Sequence, residues 1–148
     1  MPTVRKSAIV PHACSALYQL VDRVEEYPRF LPWCAAARVI ERDDRVTVGR
    51  IDIDFHGLAS HIVTRNEKRP PSDMSLTLVE GPFESFAGAW RFEPLGEDGC
   101  RVELAVEYAL SNRTLDAAMG PVFGHILETL VDSFVARADE MAAGAEGA

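Results

Sequence analysis

Cysteine is scarce in this chain: Cys14, Cys34 and Cys100 are odd in number and far apart. They form neither a disulfide framework nor zinc-type pairs, so buried free thiols packed as small hydrophobes are expected. No apolar run reaches the ~18–20 residues of a membrane-spanning helix. Met1 to Lys6 leads into alternating residues, not a secretory apolar segment, and a cytoplasmic protein is expected. Positive charge is also short, with 15 Lys and Arg against 23 Asp and Glu and a net charge of −8. Such a field repels nucleic acid and anionic membrane surfaces, so no DNA partner is expected. The densest bases (Arg65, Lys68 and Arg69; Arg38, Arg42, Arg45 and Arg50) are interleaved with acids and read as a salt-bridged surface,. No GxSxG elbow, phosphate loop or dinucleotide fingerprint is present. Neither a repeat nor a compositional break divides the chain. Residues 1–142 therefore read as one domain large enough for a sizeable core, and 143–148 as a flexible tail.

What is present is organised around Thr114 to about Met141. Leu115, Met119, Val122, Phe123, Ile126, Leu127, Leu130, Val131, Phe134, Val135, Ala138 and Met141 fall at helical spacing, with a mostly acidic opposite face,. Pro121, after Gly120, predicts a kink or a fresh helix start, because proline lacks the N–H and clashes one turn back.

Before that helix most of the chain alternates with period two. Val4 to Val10 reads as a strand closed by Pro11,. Leu17, Leu20, Val21 and Val24 then give one helical face, which should end near Tyr27 because Pro28 disfavours helix before it. A second helical turn, Pro28 to Leu31, is expected, stopped by Pro32. Strands follow over Ala36 to Glu41, Val46 to Phe55, Leu58 to Glu67, Met74 to Leu78, Phe86 to Phe92 and Val102 to Leu110. In Val46 to Phe55 the apolar parity changes beside Gly49, which predicts a β-bulge there. Such an order is α+β: a curved, seven-stranded antiparallel sheet wrapped around one long C-terminal helix, in the sequence strand, two short helices, six strands, helix.

Several short motifs occur in this order. Tyr27-Pro28-Arg29-Phe30-Leu31-Pro32-Trp33-Cys34 is followed by Thr64-Arg65-Asn66, Gly81-Pro82-Phe83, Gly88-Ala89-Trp90-Arg91-Phe92, Val122-Phe123 and Phe134-Val135-Ala136-Arg137-Ala138. From about Val4 to Glu140 the chain resembles the coenzyme-Q-binding START-like family, which includes the bacterial RatA-type proteins. The resemblance implies the helix-grip fold of START and Bet v-like proteins. It also implies a cavity between sheet and helix that holds ubiquinone or another polyprenyl quinone or lipid, as a carrier or chaperone supporting respiration. The lipid is then a ligand, with no cofactor, and contact with the inner membrane is peripheral and transient. Two other family roles stay open. One is a RatA-type toxin acting on the large ribosomal subunit; the other is a polyketide cyclase-like enzyme.

Candidate ligand-binding residues divide into mouth and wall. Phe30, Leu31 and Trp33 make an apolar loop that reads either as a plug over the core or as a lid able to touch a membrane, with Trp33 as anchor. Pro82, Phe83 and Phe86 read as the opposite rim or as an ordinary strand connection. Phe55, Met74, Leu76, Trp90, Phe92 and Tyr108 from the sheet and Phe123, Leu127, Leu130 and Phe134 from the helix read as apolar walls, in a pocket of ~300–1,000 Å³. Tyr108 is a candidate donor to a quinone carbonyl. Asp52, Asp54, His56 and His61 do not converge as metal ligands, because Ile51, Ile53 and Phe55 take the inward face. Glu84, Glu93, His56 and His61 are the only acid–base candidates near the mouth, and no catalytic residue is assigned.

Overall fold

Alternating side chains build strands wherever one face is covered, and here the helices share that face. A computed structural model describes residues 3–55 and 57–147. Its strands are β1 (Thr3–Val10), β2 (Cys34–Arg42), β3 (Val46–Phe55), β4 (Leu58–Arg69), β5 (Asp73–Glu80), β6 (Phe83–Pro94) and β7 (Cys100–Leu110). Helix α1 (Cys14–Asp22) and a 3-10 helix (Val24–Arg29) follow β1, and α2 (Arg113–Gly147) closes the chain. The sheet is antiparallel in the order β1-β7-β6-β5-β4-β3-β2. This is the expected helix-grip architecture: α2 packs on the β1 and β7 side and against α1, α1 on β6 and β7, and the 3-10 helix on β2 and β3.

Several local expectations are corrected. The first helix stops at Asp22, and Pro28 lies inside the 3-10 helix instead of opening a turn of its own. In a 3-10 helix residues three apart share a face, and this carries both Val24 and Tyr27 into the core. There Tyr27 donates its hydroxyl to the Val21 carbonyl. Nor does α2 restart at Pro121: it is a single α-helix through that residue. Pro121 and Ala117, whose carbonyl loses its partner, are both on the exposed side, so water can satisfy that carbonyl. Met119 and Phe123 stay buried on either side. Helix α2 also runs to Gly147, into the segment read as a tail; Ala148 lies outside the described residues.

The irregularity expected beside Gly49 is present, but its extra residue lies on β2 and not on β3. The β3–β4 pairing is unbroken, whereas Val39 pairs with Gly49 but Glu41 with Val48. Thr47 takes the inward place, fully buried, and its hydroxyl donates to Asp22 Oδ1 at 2.8 Å. A buried threonine thus imitates a parity slip. Gly49 allows close approach: a Cβ there would sit 3.2 Å from Val24 Cγ1, and that side chain would have to shift by a few tenths of an ångström.

The cysteine expectation is wrong for two of the three. Cys14 and Cys100 form a disulfide with Cα atoms 5.1 Å apart, and Cys34 alone is free. The cause is topological. Cys100 is the register partner of Val10, and α1 begins four residues after Val10, at Cys14. A crosslink spanning 86 residues removes much of the unfolded chain's freedom, typically about 2–4 kcal/mol. The Cys14→Ser/Cys100→Ser protein should lose that much stability in urea titrations. Equal midpoints for both proteins under oxidising conditions would contradict the crosslink.

Candidate functional site

Inward residues of β3 to β7, the 3-10 helix and α2 line a partly open cavity of about 100 Å³ between sheet and helix. Sheet curvature creates it, because a helix touches a bent sheet along only part of its width. Its walls are mainly aliphatic and aromatic. Of the residues proposed from sequence, Trp33, Met74, Leu76, Phe86, Trp90, Phe123, Leu127, Leu130 and Phe134 line it. Val21, Val24, Tyr27, Gly49, Ile51, Ile53, Ile62, Thr64, Asn66, Leu104, Val106 and Ile126 line it as well. Most of these occupy the inward register of their strands, which period-two counting from Trp90 and Met74 would have found.

The other proposed residues stand around the cavity rather than on its surface. Phe30 packs edge-on against Phe134 at 5.3 Å and lies under the Arg137 guanidinium at 5.4 Å. Leu31 is buried beneath that loop. Phe83 contacts Phe123 at 4.8 Å, Phe86 at 5.2 Å and Tyr108 at 6.0 Å, forming an aromatic cluster at one end. Pro82 is half-buried beside it. Phe92 lies between Tyr18 and Trp90. Phe55 reaches across to His125 on α2 at 5.4 Å. Tyr108 is buried on the inward face of β7 but does not line the cavity; its hydroxyl lies near Gly124, where a Cβ would meet it at 3.7 Å.

Burial selects between the two readings of the loop, and the expected cavity size changes. Trp33 is 5% exposed and lines the cavity, so the loop packs as a plug with the Trp33 ring turned inward. The cavity is also well below the expected ~300–1,000 Å³. It is smaller than the ~150 Å³ that takes a benzene, so any larger ligand must displace wall side chains. Ile51, Leu76, Phe86 and Leu130 are the half-buried apolar lining residues, and they have the least packing to lose by moving outward.

Ionisable groups are kept off this surface. Among the described lining residues only Tyr27 carries one, and its hydroxyl is engaged by Val21 and raised by burial. Glu84 and Glu93 are exposed. His61 is paired with Glu80 at 2.6 Å, Asp52 with Arg50 at 2.9 Å, and Asp54 is exposed. His56 lies outside the described residues.

Burial also pushes the Cys34 thiol up from 9.0 to about 11 and the Tyr18 hydroxyl from 10.0 to about 12, with Tyr27 raised too. A folded value above the unfolded one means the unfolded chain loses its proton first. The stabilisation is therefore complete below about pH 9 and is lost as pH rises through 9 to 11 and beyond. Thermal midpoints should fall steadily from pH 8.5 to 11, and Cys34 should resist iodoacetamide at pH 8. A flat midpoint over that range would refute the assignment.

Residues 10–135 match the family described as "Polyketide cyclase / dehydrase and lipid transport". The chain is 33% identical over 141 residues to the ribosome association toxin RatA of Escherichia coli K12, covering 95% of this chain and 89% of that one. It is 25% identical over 142 residues to the mitochondrial coenzyme Q-binding protein coq10 of Schizosaccharomyces pombe, covering 90% and 85%. The crystal structure of the Zhui aromatase/cyclase from Streptomyces sp. R1128 superposes with a TM-score of 0.81 over 95% of each chain, at 15% identity. That last likeness is one of fold.

Proposed function

This chain belongs to the polyketide cyclase / dehydrase and lipid transport family, and on that premise we propose that it binds a hydrophobic ligand, a polyprenyl quinone such as ubiquinone, between sheet and α2. The observation that carries the reading is the cavity itself: mainly apolar, walled by both tryptophans and free of acid–base pairs among the described lining residues. Such a surface holds a molecule and offers no group to transform it, which favours a carrier over a cyclase. The coenzyme Q-binding relative agrees with the ligand class.

Energetics favours exchange over storage. Each CH₂ leaving water gains ~0.8 kcal/mol, but a prenyl tail already lies in lipid and gains little by moving. The head group would enter by displacing half-buried lining side chains, with the tail protruding toward a membrane. Contact with a bilayer is then brief and peripheral.

A second reading follows from the greater similarity to the ribosome association toxin, at 33% identity. In it the chain acts on the large ribosomal subunit. One experiment separates the two: organic extraction of the protein purified from its own host, read by mass spectrometry, beside sedimentation with large subunits at physiological salt. Stoichiometric prenylquinone, depleted in Trp90→Ala, is the expected result. An empty protein that refuses added quinone and travels with the subunits would transfer the assignment to the ribosome.

A further inference from the structure

The floor of the cavity is not uniformly apolar. Along β4 the residues alternating with outward Arg65 and Glu67 are Ser60, Ile62, Thr64, Asn66 and Lys68, and four of these five are polar. Lys68 is engaged by Asp22 at 3.2 Å, beyond the end of the cavity. Thr64 and Asn66 line the cavity itself. Asn66 is 4% exposed, and Thr47 is the only other polar residue buried as deeply among those described.

A buried amide is costly unless its hydrogen bonds are made. The Thr64 hydroxyl donates to Asn66 Oδ1 at 2.8 Å. That bond occupies the acceptor side of the amide and fixes which way it is turned. The other side carries two N–H donors; across the strand pair Asn66 faces Thr47, whose hydroxyl is already given to Asp22, and the remaining lining is apolar but for Thr64 and Tyr27. Were the pair there only for stability, leucine or valine at these strand positions would fill the same space without the desolvation cost.

We propose that Asn66, oriented by Thr64, is the hydrogen-bond donor that recognises an uncharged oxygen acceptor on the ligand, a quinone or ketone carbonyl. The inference rests on the hydrophobic-ligand reading and specifies its chemistry. No cation lines the cavity among the described residues, so a carboxylate would lose its hydration without compensation. The site thus selects neutral carbonyl compounds over both hydrocarbons and fatty-acid-type anions.

The test uses acetophenone, ethylbenzene and benzoate, which are similar in size and differ in the acceptor. The sequence contains just three side-chain amides, Gln19, Asn66 and Asn112, so their N–H₂ resonances are resolved in a ¹⁵N-labelled sample, with exposed Gln19 and Asn112 as internal controls. Acetophenone should shift the Asn66 pair and ethylbenzene should not. In calorimetric titrations Asn66→Leu should weaken acetophenone about five- to tenfold, the worth of one neutral hydrogen bond, and leave ethylbenzene within twofold. If Asn66→Leu does not fold, the wild-type resonances decide alone. Both neutral probes binding with the Asn66 pair unmoved, or benzoate matching acetophenone, would overturn this inference and leave the hydrophobic-ligand reading standing. Neither neutral probe binding would overturn both.

Discussion

Replacing Phe134 by alanine should cost about 3–5 kcal/mol of unfolding free energy. The ring is 1% exposed and sits where four elements meet. Tyr27 from the 3-10 helix, Phe30 from the plug loop and Trp90 from β6 each lie 5.3 Å from it, all edge-on. Truncation removes the transfer energy of a phenyl group and three aromatic contacts, and leaves a void that rigid neighbours on three sides cannot close. At ~2–4 °C per kcal/mol for a chain of this size, the thermal midpoint should fall by roughly 10 °C. Because the void joins the existing cavity, the same variant should bind benzene, and saturating benzene should restore part of the lost midpoint. A loss under 1 kcal/mol would mean that the core repacks and that Phe134 is not its centre.

Asp22→Ala should be comparably damaging, at about 3–5 kcal/mol, for an electrostatic reason. The Lys68 side chain is only 5% exposed, and its ammonium lies 3.2 Å from Asp22 Oδ2. The other carboxylate oxygen accepts from Thr47, which is fully buried. Removing Asp22 strands a charge and a hydroxyl together. Adding Lys68→Met to Asp22→Ala takes away the stranded charge and should recover most of the loss. Urea titrations of the two variants decide: equal destabilisation by the single and double changes would show that the ion pair is incidental and that helix packing at Asp22 sets the cost.

Both sites show how far local pattern carries. Phe134 was legible, because a phenylalanine in the apolar stripe of a long helix must face whatever the helix covers. Asp22 and Lys68 are 46 residues apart, and nothing local marks either as half of a buried pair. Likewise the inward positions of β5 to β7 follow from strict alternation, whereas Thr64 and Asn66 escape a search for apolar walls because they are polar residues on an inward face. The signal available was their period-two spacing with Ile62, on a strand whose other face is charged.

By itself the sequence determined the strand set, the two amphipathic helices and hence the fold, since periods of two and 3.6 residues each permit only one way of burying an apolar face. It also determined that the interior is predominantly apolar. Tertiary structure alone decided the Cys14–Cys100 crosslink, the plug with Trp33 turned inward, the continuation of α2 through Pro121 and the volume of the cavity. Each of these depends on distances between residues remote in the chain. Register and sheet curvature set those distances, and a linear pattern of apolar and polar residues does not encode them.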